Sequence, residues 1–134
     1  MFICLAHGHD FTCWTQGKSM QLITTLKSKI HRATVTDSNI DYIGSITIDE
    51  DLMIRAGIKK WEMVHIWNVT NGNRWETYVI PAPKRSGIIC INGAAAHLGC
   101  RGDKVIIAAF VTTDEDITPK LVLVDEENMF LRNL

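Results

Sequence analysis

Long apolar runs are missing from this chain. None approaches the roughly 20 residues that a membrane-spanning helix needs, so no membrane partner is expected. Net charge is almost absent too: 14 Lys and Arg stand against 15 Asp and Glu, leaving −1 with His neutral. No basic stripe tracks a phosphate backbone, and Lys84-Arg85 is too small a patch, so no nucleic-acid partner is expected either. Cysteine is sparse. Cys4, Cys13, Cys90 and Cys100 make no dense disulfide framework, which points to a reducing, cytoplasmic setting. The Asn68-Val69-Thr70 sequon then carries no meaning. Gly93 and Gly99 build no dinucleotide fingerprint, and no Gly-x-Ser-x-Gly elbow occurs. There is no internal repeat and no low-complexity segment.

The 134 residues suit one domain, with 46% hydrophobic and 22% charged residues. A domain this small buries its surface only modestly, so oligomerisation would help. Residues 1–19 stand apart. His7, His9 and Asp10 interrupt the apolar residues, and the first Lys is Lys18, so this is no signal peptide. Cys4, His7, His9 and Cys13 are zinc-type ligands, but their spacing fits no zinc motif, and no metal is expected. The segment reads as a mobile N-terminal extension, with a single barrel domain over 20–134.

The domain reads as mainly β. Leu22–Thr36 is rich in Ile, Thr and Val and predicts a long strand, with Lys29 and His31 on one face and Ile30 on the other. Asp37-Ser38-Asn39 reads as a turn and Ile40–Ile48 as a second extended stretch. Asp49 is placed to cap a short helix that ends at Gly57-Ile58. Met63–Val69 and Arg74–Ile80 form a hairpin around Asn71-Gly72. Pro81–Gly87 reads as a loop, and Ile88–Ile91 as a short buried strand running into Asn92-Gly93-Ala94-Ala95-Ala96. Val105–Val111 predicts a central strand, 114–119 an exposed loop, and Leu121–Val124 a last strand before a polar tail. That is about seven strands with one or two short helices, which suits a barrel.

Four stretches carry the chemistry. They are His31-Arg32, Tyr42-Ile43-Gly44-Ser45-Ile46-Thr47-Ile48-Asp49, Ile66-Trp67-Asn68-Val69-Thr70-Asn71-Gly72 and Ile91-Asn92-Gly93-Ala94-Ala95-Ala96. In this order they resemble the pyruvoyl-dependent aspartate 1-decarboxylases, from about Met20 to about Asp125. The tail beyond is weakly matched, and the residues before Met20 match nothing in that family. The resemblance implies a double-psi β-barrel and a homotetramer with active sites between subunits. It implies L-aspartate as substrate, β-alanine as product and a place in pantothenate and coenzyme A synthesis.

The resemblance also implies that the chain cuts itself between Gly44 and Ser45, into 1–44 and 45–134. Ser45 would attack the Gly44 carbonyl and end as a pyruvoyl group, the covalent cofactor, whose ketone forms a Schiff base with the substrate amine. Tyr78 matches the proton donor, a phenol protonated at neutral pH. Thr77 matches a residue of processing and substrate binding. Strand alternation turns Thr77 and Tyr78 to opposite faces. Both reach one pocket only if the strand is bulged or ends there, or if they serve different subunits. Arg74 shares a face with Tyr78 and suits a bidentate grip on a substrate carboxylate, with Lys29 the second choice. Asn92, Gly93, Ala94 and Ala95 would bring an amide and backbone N–H groups to the substrate, while His31, Tyr42 and Trp67 could line the pocket. Two other readings compete: a serine hydrolase using Ser45 with Lys29 or His31, and a β-barrel binding module without catalysis.

Overall fold

The computed structural model describes residues 19–134. The predicted extension over 1–19, with Cys4, His7, His9 and Cys13, therefore lies outside the described residues except for Ser19. The strands are β1 (Ile23–Thr34), β2 (Asp37–Asn39), β3 (Ile46–Asp49), β4 (Met63–Asn68), β5 (Arg74–Ala82), β6 (Ile89–Asn92), β7 (Lys104–Thr113), β8 (Lys120–Val124) and β9 (Phe130–Asn133). One α-helix, α1 (Glu50–Ala56), and one 3-10 helix, Gly93–His97, complete the described part. The strands form one mixed sheet in the order β2-β6-β3-β5-β4-β7-β1-β8-β9. Parallel pairs β1–β8, β2–β6 and β3–β5 stand among antiparallel ones, a mixed sheet consistent with a double-psi β-barrel. No described helix is long and apolar enough to cross a membrane.

The hydrophobic alternation explains which face is inside. Along β4, Val64, Ile66 and Asn68 are buried while Met63, His65 and Trp67 are not. The same period buries Ile30 between Lys29 and His31 on β1. The core is dominated by β-branched side chains: Ile30, Ile46, Ile48, Ile66, Ile89, Ile91, Ile107, Val64, Val79 and Val105 are fully buried. Each contributes about 1.5–3 kcal/mol by leaving water. β7 lies between β1 and β4 and is central, as its apolar run predicts.

Helix α1 begins and ends where its sequence says. Asp49 Oδ1 accepts from Asp51 N at 2.8 Å, and Gly57 takes the left-handed φ of +69 that a C-terminal glycine supplies. Ile58 then folds back, its N donating to Met53 O at 2.9 Å, and is buried. Asp49 does more than cap. Its carboxylate also accepts from Arg85 N and Gly87 N, so it ties the 83–88 loop to the start of the helix.

Four expectations are corrected. Asp37-Ser38-Asn39 is a strand, because parallel pairing with Cys90–Asn92 overrides its turn propensity. Ile40–Ile48 is not one extended stretch: successive positive φ values at Gly44 and Ser45 break it, and β3 starts only at Ile46. Pro81 does not end β5, whose parallel register with β3 continues through Ile48↔Pro81 and Asp49↔Ala82. The polar tail is a strand. Asn128, buried, accepts from Thr34 N and donates to the carbonyls of Thr34 and Gly87, and β9 then pairs with β8. Arg55 of α1 lies over the Phe130 ring, 4.2 Å from its centroid.

Candidate active site at the Gly44–Ser45 peptide

Gly44 and Ser45 have φ values of +64 and +86. The first suits glycine. The second is unfavourable for a residue with a Cβ and stores about 1–3 kcal/mol. Surrounding contacts hold this geometry. Gly44 N donates to Tyr42 O at 2.8 Å, and Asn92 N donates to Ser45 O at 3.0 Å. Gly93, itself at φ +65, presses its α-carbon side onto the backbone of Gly44 and the carbonyl of Tyr42. A side chain on Gly93 would occupy that space.

Ser45 is 2% exposed, yet its hydroxyl is not an orphan. Asn92 Nδ2 donates to Ser45 Oγ at 3.1 Å and to Thr47 Oγ1 at 2.9 Å, while Cys90 Sγ donates to Asn92 Oδ1 at 3.2 Å. The amide is thereby oriented with its donor side on Ser45. A donor aimed at this oxygen favours the form in which it carries negative charge. The site therefore pairs a nucleophile-type oxygen, a polarising donor and a strained peptide bond.

β3 and β5 pair in parallel from Ile46↔Val79 to Asp49↔Ala82, so Ser45 and Tyr78 immediately precede the first paired residues of two adjacent strands. The β4–β5 register is unbroken from Arg74 to Tyr78, and β5 runs on to Ala82, so neither a bulge nor a strand end occurs. Thr77 is half-buried on the inner face with Val79, and Tyr78 is on the outer face. Tyr78 Oη donates to Ile43 O at 3.0 Å and is 3.5 Å from where a Cβ on Gly44 would sit.

The other predicted residues fall into three sets. Asn92, Gly93 and the backbone of Tyr42 join Gly44 and Ser45, with Ala94 and Ala95 following on the 3-10 helix. Arg74 and Trp67 meet each other instead, the guanidinium 5.3 Å from the indole centroid. They line an open cavity of about 370 Å³ with His65, Trp75 and Glu76. Lys29 and His31 are on β1, beyond β4 and β7. Burial, then the nearby charges of Lys29 and Arg32, lower the pKa of His31, whose Nδ1 is buried without a partner. Within one chain, Arg74 is four residues from Tyr78 along a strand, about 13 Å. Lys29 is three strand spacings from β5, about 14 Å.

No Ser–His or Ser–Lys hydrogen bond supports a hydrolase at Ser45 among the described residues. Cys90 and Cys100 are not activated thiolates: burial raises the Cys90 pKa, and a hydrogen bond to Asp103 raises that of Cys100. No group of three or more metal-ligating side chains occurs among the described residues. Sequence reasoning missed Thr47, which shares the Asn92 amide, and Trp61, whose ring meets Tyr78 at 5.6 Å. Alternation in 42–48 could have suggested Thr47; nothing in Lys59-Lys60-Trp61 marks the tryptophan.

These features define a class of small double-psi β-barrel proteins that hold a buried serine at a strained peptide, beside a phenol and a glycine-alanine turn. The family model described as aspartate decarboxylase matches residues 20–131, and the chain belongs to that family. The match continues past Asp125 into β9, so the tail that reads weakly in sequence is part of the family domain. The chain is 55% identical over 114 residues to a protein named aspartate 1-decarboxylase from Caldicellulosiruptor bescii, covering 82% of this chain and 89% of that one. Proteins of the same name from Caldicellulosiruptor saccharolyticus (56%, 83% and 90% covered) and Clostridium botulinum (54%, 79% and 87%) match similarly.

Proposed function

We propose that this chain is a lyase that removes the α-carboxylate of L-aspartate, giving β-alanine and CO2 for pantothenate and coenzyme A synthesis in the cytoplasm. The observation that carries the mechanism is the strained Gly44–Ser45 peptide with Asn92 Nδ2 on the serine oxygen. Ser45 Oγ attacks the Gly44 carbonyl carbon, the C–N bond breaks, and the acyl group moves to oxygen as an ester. Thr77, beside Tyr78 on β5, stabilises the oxyanion formed on that carbonyl. Elimination then releases the Gly44 carboxylate, and water replaces the nitrogen, which leaves as ammonia. The products are 1–44 and 45–134, the second headed by a pyruvoyl group.

The residues around Ser45 fit such a group: a backbone cradle at Gly93 that a Cβ would fill, and the Asn92 amide, whose donor is freed once Ser45 Oγ departs with the Gly44 carboxylate. When present, the pyruvoyl ketone supplies the electron sink that protein side chains lack. Tyr78 Oη delivers the proton to the carbon that has lost its carboxylate. Arg74, with Lys29, grips the remaining carboxylate, and backbone N–H groups at Gly93, Ala94 and Ala95 orient the substrate. The Asn92 amide, released from Ser45 Oγ, lies beside the substrate, while His31, Tyr42 and Trp67 wall the pocket.

Arg74 packs on Trp67 rather than beside the Gly44–Ser45 peptide, and Lys29 is on β1, three strands from β5, which supports a site completed by a neighbouring copy in a homotetramer. An intact-mass measurement with a denaturing gel tests the proposal. Active protein should give two fragments divided at 44/45, the larger blocked to amine-terminal sequencing. A single uncut chain with full decarboxylase activity would overturn it.

A further inference from the structure

Trp61 is unusual twice over. Its φ is +68, an angle that bulky residues seldom adopt, and 63% of it is exposed. The surrounding structure imposes this position. Trp61 N donates to Val79 O at 2.8 Å and Val79 N to Glu62 O at 3.1 Å, so the turn before β4 is hydrogen-bonded alongside β5 next to Tyr78. The Glu62 carboxylate locks the turn: it accepts from Lys59 N at 2.8 Å and pairs with Lys27 of β1. Lys60 Nζ lies 5.0 Å from the centroid of the indole. The indole ends 5.6 Å from the Tyr78 ring, tilted by 35°.

Tyr78 has one other anchor, its hydroxyl on Ile43 O. Ile43 is 89% exposed and lies on the 1–44 side of the proposed cut, one residue from the new chain end. Cleavage would leave that anchor on a free chain end. Trp61 belongs to the 45–134 fragment, as Tyr78 does, and is fixed by β5 and β1. We propose that Trp61 is the positioning residue for Tyr78 in the cleaved enzyme: the indole holds the phenol ring where its hydroxyl can deliver a proton, once the Ile43 carbonyl no longer does so. This rests on the role given to Tyr78 above.

The test compares W61F, W61G, Y78F and W61G/Y78F in the full-length chain, with rates expressed per cleaved chain. Glycine at position 61 removes the ring and relieves the positive φ; W61N, which also tolerates that angle, replaces it if W61G does not fold. W61G should lower kcat about tenfold with KM changed less than about twofold, the size that loss of one aromatic contact allows. W61F, which keeps an aromatic face, should stay near the wild type. The double variant should be no slower than Y78F alone, because Trp61 acts through Tyr78. A W61G enzyme with wild-type kcat per cleaved chain, beside an impaired Y78F, would overturn the inference about Trp61 alone. A Y78F enzyme with wild-type kcat would instead overturn the role of Tyr78. A W61G loss confined to KM, or to the fraction cleaved, would also refute positioning.

Discussion

A carbon placed as Cβ on Gly93 would lie 2.7 Å from both the Cα and the N of Gly44. Side-chain carbons do not approach backbone that closely, so this contact exists only because residue 93 is glycine. Gly93 also needs its positive φ to turn from β6 into the 3-10 helix. The close approach holds the Gly44–Ser45 peptide in its strained form.

Gly93→Ala should therefore push Gly44 away and relax the peptide. Self-cleavage is expected to slow by about tenfold or more, the effect of about 1.4 kcal/mol on a barrier. A denaturing-gel time course on freshly purified protein measures it. Cleavage at the wild-type rate would mean that the contact does not set the geometry of the cut.

Two inactive variants should rescue each other. Arg74→Ala removes the carboxylate grip and Tyr78→Phe the proton donor. If the site takes these residues from neighbouring copies, mixed assemblies made by co-expression will contain some sites with both. Activity should return to roughly a quarter of wild type, as random mixing of two equally abundant chains predicts for paired sites. Mixtures as inactive as their parents would place both residues in one chain's site.

His31 should make the protein less stable in mild acid. Its pKa in the folded chain lies below the ordinary 6.5, chiefly through burial and then through Lys29 and Arg32. As pH falls below 6.5, the unfolded chain takes up this proton before the folded one does. Stability is then lost from 6.5 down to the lower folded midpoint, and not above 6.5. Urea unfolding followed against pH should show this decline in the wild type and a flatter profile in His31→Gln. An NMR titration should give the imidazole a midpoint below 6.5.

Asn68→Ala should destabilise the fold by about 1–3 kcal/mol, the penalty for stranding buried hydrogen-bond partners. Asn68 Nδ2 donates to Asp103 Oδ2 at 2.7 Å, and its Oδ1 accepts from Thr70 N and Asn71 N in the hairpin turn. The Asn68 hydrogen bond is the main cause that holds the Asp103 carboxyl below its ordinary pKa of 3.8, with Cys100 assisting and burial opposing. The ionised carboxylate stabilises the fold above 3.8 and ceases to as pH drops through the lower folded value. The deficit of the variant should therefore be largest near neutrality and shrink in strong acid. Denaturation midpoints at several pH values check both parts.

Much of this molecule is legible along the chain. Asp49 and Gly57 bound a helix because capping is local chemistry between residues a few positions apart. The faces of β1 and β4 follow from period-two alternation, which needs no knowledge of the partner strand. The stretch from Tyr42 to Asp49 and the Asn92–Ala96 run mark the site through the family resemblance that they carry together, not by residue type alone. Strand β2 is not legible, because Asp37–Asn39 gains its hydrogen bonds from Cys90–Asn92, far away in sequence; β9 pairs with nearby β8, but its exposed Leu131-Arg132-Asn133 carries no alternation that announces a strand.

The order of the residues decided that a glycine precedes a serine, that a tyrosine follows a threonine, and which faces turn inward. Tertiary structure alone decided that β3 and β5 run parallel from Ile46↔Val79, and that Tyr78 Oη reaches Ile43 O beside Gly44. It alone decided that Gly93 closes on Gly44, that Arg74 packs on Trp67, and that Lys29 is three strands from β5. The physical reason is range. Caps, turns and alternation act over a few residues, whereas register and close backbone contact depend on where remote strands meet, which the completed core determines.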